Sequence, residues 1–357
     1  MKETSRPKEK KVLVNVTLDA SVLAIPANQT KFSIERYVER LLDWKELQRD
    51  SWVDVNTSKF AYEMLYGDNV CPDYGTMKRM FLKNGVEKYN WQDVTIVIQD
   101  LMNPPHFEDC LEIKEIEVEV ISAEQITTEP DVFNNYPGVQ IQNDLKRCVV
   151  LLAASQSLNK TKIPYHVLAL HKTQTKSIKV SALVSGFPRY DGKGVSQSKS
   201  TKRLVENILI AEDIRGIIEC VDETELLLKA STESDLAAAI KIAFFKNNAA
   251  IFLLPEYSIG TKFLSSILER LAFKPELAKS LLRAIVETLQ RTKMNDTHVL
   301  RKGKSGSAPI RKRERDDAEA LRRDIDLDHH LHYWKDNNCI ELACVSYPHD
   351  NFDIPEN

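Results

Sequence analysis

The stretch that most restricts the fold of this 357-residue chain runs from Asp324 to Asp350. Two alternating segments, HHLHYWK and NCIELACVSY, flank Asp336-Asn337, a pair suited to a tight turn, and so predict a β-hairpin. With Lys335 opposite Asn338, Tyr333 faces Ile340, His332 faces Glu341 and Leu331 faces Leu342. Leu331, Tyr333, Ile340, Leu342 and Cys344 then form an apolar face that docks on the body of the protein. Asp328, His330, His332 and Glu341 form the opposite face. His329 sits at the edge of the apolar face and reads as a buried histidine with a hydrogen-bond partner.

The rest of the chain must supply the body, and a hydrophobic content of 43% with only 11 glycines is enough to build a core. A net charge of -3 excludes a general polyanion binder, so any nucleic-acid contact must come from local patches. No apolar run of about 18 residues spans a membrane, and the polar, lysine-rich residues 1–11 read as a flexible leader without an apolar signal segment. A cytoplasmic protein with no membrane partner is expected. The six cysteines lack CxxC spacing, which fits reduced thiols.

The patterning predicts an α/β (or α+β) fold: a mixed sheet with flanking helices over 12–230, a helical block at about 231–300, a basic linker at 301–320 and the hairpin in 321–357. Val12 to Leu18 and Asp93 to Gln99 read as strands, as does Leu111 to Ile121. Ser33 to Gln48 carries apolar residues at helical spacing, and Ser58 and Thr76 are read as caps of short helices ending at Gly67 and Gly85. A helix is expected from Asn143. Tyr165 to Leu170 and Ser177 to Val184 read as a hairpin, Leu204 to Ala211 as a helix, and Gly216 to Val221 and Glu225 to Lys229 as short strands. Ser234 to Lys246, Thr261 to Ala272 and Pro275 to Arg291 complete the helical block.

Three constellations could carry chemistry. Asp100, at the end of an expected strand, with Glu112 and Lys114 on one face of the next, resembles the D…ExK core of PD-(D/E)xK nucleases, although no Pro-Asp dipeptide precedes it. That resemblance implies catalysis with Mg or Mn held by the two carboxylates while the lysine positions water. Asp328, His330, His332 and Glu341 could instead hold Zn or Fe with an open position for water. Finally, Arg189, Lys193, Lys199, Lys202 and Arg203 form one basic loop, and Arg301, Lys302, Lys304, Arg311, Lys312, Arg313 and Arg315 another. On one side of the molecule, these loops would contact a nucleic acid or a protein partner.

The functional expectation is a mainly non-catalytic subunit of a nucleic-acid-processing or defence-like assembly. The alternatives are a metal-dependent nuclease or phosphodiesterase at Asp100, Glu112 and Lys114, and a hydrolase with its metal on the C-terminal hairpin.

Overall fold

The computed structural model describes residues 14–50, 52–110, 122–135, 137–158, 165–171, 173, 175–185, 188–190, 195–197, 202–247, 254–303, 307–336, 339–347 and 353–356. The protein is mixed α/β and divides into two compact units, Met1–Cys220 and Val221–Asn357.

The first unit opens on β1 (Val14–Leu18), whose residues are all buried. Asp19 accepts from the Ser21 N–H and so caps α1 (Ala20–Leu23). A capping box between Thr30 and Ser33 starts α2 (Lys31–Leu47), which buries Ile34, Tyr37, Val38, Leu41 and Trp44 along one stripe. After β2 (Val53–Thr57) come α3 (Ala61–Gly67) and α4 (Tyr74–Asn84). Ser58 Oγ accepts from the Phe60 N–H ahead of α3. Asp73 rather than Thr76 caps α4, and the Thr76 N–H donates to it at 2.9 Å. Gly85 closes α4 at φ 60°, the left-handed conformation that glycine adopts at least cost.

The β-branched run at Asp93 to Gln99 is helical, contrary to the sequence expectation. It lies in α5 (Trp91–Met102), capped by Asn90, and buries Val94, Thr95, Ile98 and Leu101 while leaving Ile96 exposed. One-sided burial at helical spacing outweighs the strand preference of its side chains. After α6 (Phe107–Cys110), the strand expected at Leu111 to Ile121 falls outside the described residues.

The unit continues through β3 (Ser122–Glu129), α7 (Val139–Leu158), β4 (Tyr165–Ala169), β5 (Ser177–Ser185), the small pair β6 (Pro188–Tyr190) and β7 (Val195–Gln197), β8 (Lys202–Ala211) and α8 (Ile214–Cys220). Its six-stranded sheet has the order β2-β1-β4-β8-β5-β3. The first four strands are parallel, β5 runs antiparallel to β8, and β3 runs antiparallel to β5. This order corrects two expectations. Leu204 to Ala211 is a strand, not a helix, and it lies between β4 and β5, which therefore form no hairpin with each other. The segments expected as strands at Gly216 to Val221 and Glu225 to Lys229 are helical. α7 packs Leu145, Val149 and Leu152 against Leu168, Ile178, Ile208 and Ile210 of the sheet.

The second unit holds α9 (Glu223–Lys229), α10 (Glu233–Asn247), β9 (Tyr257–Ile259), α11 (Phe263–Phe273), α12 (Leu277–Leu289), β10 (Thr297–Val299), β11 (Glu319–Asp324), β12 (His330–Lys335) and β13 (Ile340–Ser346). Its sheet runs β10-β11-β12-β13-β9. The C-terminal hairpin forms, in a different register. Asp336 bonds to Cys339 at both its N–H and its carboxylate, so the turn is longer than expected and Lys335 faces Ile340. Tyr333 faces Leu342, Trp334 faces Glu341, and a bulge then places His332 opposite Cys344. The bulge moves Cys344 to the face of His332 and Trp334 and leaves Val345 beside Leu331.

Neither face of this hairpin is solvated. Residues 353–356 cross the face expected to be polar, where His332 Nδ1 lies 3.3 Å from the Asp353 carbonyl and the Trp334 indole donates to Pro355 O at 2.7 Å. Trp334 packs there with Leu300, Ala318, Ala320, Ala343 and Ile354. On the other face Arg323, 1% exposed, bonds Glu287 of α12 at 3.0 Å and also reaches Thr292 O.

Candidate functional site

In an open α/β sheet, ligands bind beyond the carboxyl ends of parallel strands, where the chain turns to opposite sides. Here β1 has β2 on one side and β4 on the other, which puts that crevice at the end of β1. The first residue there is Asp19. Its N–H continues the ladder by donating to Ala169 O at 3.1 Å, and its Oδ1 accepts from Ser21. Its Oδ2 is buried and has no hydrogen-bond partner. Burial, with Asp144 adding repulsion, raises the Asp19 carboxyl to about 7.

Asp144 arrives from the first turns of α7 and is 3% exposed. Ser58, just past β2, donates to its Oδ1 at 3.0 Å. Arg147, one turn on, reaches Asp144 Oδ1 at 2.8 Å and Glu108 Oε1 of α6 at 2.6 Å. Burial raises the Asp144 carboxyl and Arg147 opposes the rise. Asp144 Oδ2 is also buried without a partner. Thus the end of β1 and the first turns of α7 contribute two orphaned carboxyl oxygens and a guanidinium. Phe60 lies 4.5 Å under Arg147.

A polar stripe continues from this point beneath α7. Asn15 and Thr17 share the Asp19 side of β1, and Asn56 of β2 joins them by donating to Asn15 Oδ1 at 2.7 Å. Asn15 Nδ2, Ser155 Oγ and His166 Nε2 are buried without partners, and burial lowers the His166 imidazole. With Ser21 Oγ and Arg147 Nη1, seven unpartnered polar atoms in this part of the unit leave hydrogen-bonding capacity that water or a ligand could meet.

The residues singled out in the sequence fare differently. Asp100 lies on α5, not at a strand end, and pairs with Lys45 at 3.1 Å. Glu112 and Lys114 lie outside the described residues. The hairpin group does not come together. His332 Nε2 pairs with Ser346 Oγ at 2.9 Å, while Glu341 accepts from Arg313 at 2.8 Å and Arg315 at 2.9 Å. His330 Nδ1 pairs with Asp324 at 2.9 Å, and Asp328 is exposed. Among the described residues, no group of three or more His, Cys, Asp or Glu side chains is arranged to hold a metal. His329 is buried and pairs with Asp326 at 2.9 Å.

The two basic clusters belong to different units. Lys202 and Arg203 begin β8 and Arg189 lies in β6, while Lys193, Lys199 and Lys304 are outside the described residues. The expected tether at Arg301 to Arg315 is partly tied down: Arg301 bridges to Ile310 and donates to Ala308 O, Arg311 pairs with Asp353, and Arg313 is buried against Trp334. Lys302 and Lys312 are exposed.

No protein-family model matches the chain, and neither does any curated protein or solved structure. No described helix is long and apolar enough to cross a membrane. Asp19 and Asp144 are not among the residues that the sequence singles out. The available signal was an acid immediately after the first apolar strand.

Proposed function

We propose that the first unit is a divalent-cation-dependent phosphodiesterase acting on nucleic acid, with Asp19 and Asp144 as the protein's cation ligands. The observation that carries this reading is the pair of buried, unpartnered Oδ2 atoms at the carboxyl end of the parallel strands. Magnesium is commonly held by one or two carboxylates, with water and substrate phosphate completing its shell, so two ligands suffice. The cation would offset the burial, and the lesser repulsion from Asp144, that keep Asp19 protonated. Bound water would attack phosphorus, forming one P–O bond as the ester P–O bond breaks, with its proton ending on the leaving oxygen. Arg147 would neutralise phosphate charge.

The test is Mn²⁺ or Mg²⁺ titration and cleavage of labelled DNA and RNA by the full chain, beside Asp19→Asn and Asp144→Asn. Cleavage should need the cation and fall at least about 100-fold in each variant, since even residues supporting a metal ligand are worth 10–100-fold. Undiminished cleavage in both variants would remove these ligands.

A second reading, a non-catalytic nucleic-acid-binding subunit, is favoured by one observation: Arg147 already bridges Glu108 and Asp144. It predicts oligonucleotide binding with no cation uptake and no cleavage in any metal.

A further inference from the structure

Residues 353–356 lie across the sheet of the second unit without joining it as a strand, and a small set of side chains holds them there. Ile354, 3% exposed, fills a pit lined by Leu300, Ala318, Ala320, Trp334 and Ala343. Three alanines in one patch leave room for a branched side chain brought from outside the sheet. A donor meets the main chain on either side of Ile354. Trp334 Nε1 donates to Pro355 O at 2.7 Å, and His332 Nδ1 meets Asp353 O at 3.3 Å. A carbonyl can only accept, so Nδ1 carries the proton of the neutral ring, and Nε2 takes that of Ser346 Oγ at 2.9 Å. His332 and Trp334 are two apart on β12 and share a face, matching carbonyls two apart on the segment they hold. Pro355 restricts Ile354 to the extended region. At the rim Arg311 pairs with Asp353 at 3.5 Å. An aliphatic pocket, donors for the carbonyls beside it and a cation for the preceding acid are the parts of a peptide groove.

We propose that this face of the second unit is a docking groove for an extended acidic–aliphatic–proline segment of a partner protein, and that residues 353–356 fill it in cis until the partner displaces them. The occupant is read from the one that the groove already holds. Main-chain carbonyls carry no sequence information, so selection falls on the pit, on the proline that sets the extended shape and on the acid beside Arg311. The strap is replaceable because the five-stranded ladder is complete without it, and because Ile354 is buried while Asp353 and Glu356 are exposed. Segments with so few buried contacts open at low free energy. Only five residues separate Tyr347 from Asp353, so the strap reaches its groove at an effective concentration on the order of millimolar. That favours the strap over the same segment of a second copy at ordinary protein concentrations, and a displacing partner must bring contacts beyond these four residues. The groove belongs to the second unit and needs nothing of the cation chemistry of the first.

The experiment is fluorescence anisotropy of a labelled synthetic peptide, NFDIPEN, the sequence of residues 351–357, titrated with the full chain. Ile354→Asp empties the pit and should bind the peptide. Wild type should bind it at least about ten-fold more weakly, because apparent affinity falls with the fraction of grooves that stand open. Pro355→Gly loosens the strap while keeping Ile354, so it protects the fold of the unit and should fall between the two. The peptide NFDAPEN should bind Ile354→Asp at least about ten-fold more weakly than NFDIPEN, the scale for a lost buried aliphatic side chain. Far-UV circular dichroism matching wild type shows that a variant is folded. If Ile354→Asp does not fold, Pro355→Gly against wild type carries the comparison. No peptide binding by the folded variants, equal binding by the variants and wild type, or equal binding of the two peptides would each overturn the groove. A wild-type dimer that grows with protein concentration and is lost in Ile354→Asp would give the groove to a second copy and overturn the partner.

Discussion

At the scale of single residues, Asp19 sets the strongest expectation. Its carboxyl titrates near 7 in the folded protein and near 3.8 in the unfolded chain. Between those values the folded state binds more protons, so stability is full below about pH 4 and falls as pH rises through 7. The loss is on the order of 4 kcal/mol, at 1.36 kcal/mol for each pKa unit. Asp19→Asn should therefore melt higher than wild type at pH 8 and lose most of this pH dependence, measured by thermal melts at pH 5 and 8. Mn²⁺ should restore stability to wild type at pH 8 and leave the asparagine variant unmoved. Sequence showed little of this. Asp19 and Asp144 are far apart along the chain, Asp144 sits among ordinary polar residues (QIQNDLKR), and only the parallel ladder and the packing of α7 bring them together. The hairpin histidines are conspicuous in the sequence, but in the fold His332 pairs with Ser346 and Glu341 with two arginines, so these two side chains do not converge.

At the scale of elements, α3 and α7 share one residue. Asp68 follows α3, and its carboxylate accepts from the Gln140 and Ile141 N–H groups that open α7, at 3.2 and 2.8 Å. Gly138 permits that approach, since a Cβ there would meet Asp68 Oδ2 at 2.1 Å. Gly138→Ala should cost about 1–3 kcal/mol, as a clash in a packed site does, and Asp68→Ala about 1 kcal/mol for the lost cap. Urea unfolding would read both. Because α7 carries Asp144 and Arg147, either change should also weaken cation binding. Helices with strong one-sided periodicity, such as α2 and α12, were legible in the sequence. α5, α8 and β8 were not, because β-branched and leucine-rich runs fit either period until tertiary burial selects one. The hairpin register failed for a different reason. A longer turn and one bulge change which side chains share a face, and neither has a local signature at Ala343.

At the scale of the whole molecule, the chain should not unfold as a single two-state system, because each unit has its own sheet and core. Calorimetry should resolve two transitions. Raising pH from 5 to 8 should lower the one belonging to the first unit, while removal of residues 353–357 should lower the other by taking away Ile354 and the acceptors of Trp334 and His332. The α/β class was readable from alternating apolar periods. The division at Val221 was not, since Cys220-Val221-Asp222 carries no glycine or proline to mark it. The crossing of residues 353–356 over Trp334 also makes the molecule its own reporter. Three of the four tryptophans, Trp44, Trp52 and Trp91, belong to the first unit, and Trp334 is alone in the second, fully buried with its indole held by Pro355. Peeling back the last residues would give that indole to water and shift its emission to the red, so the docking of a few terminal residues can be followed optically without any added label.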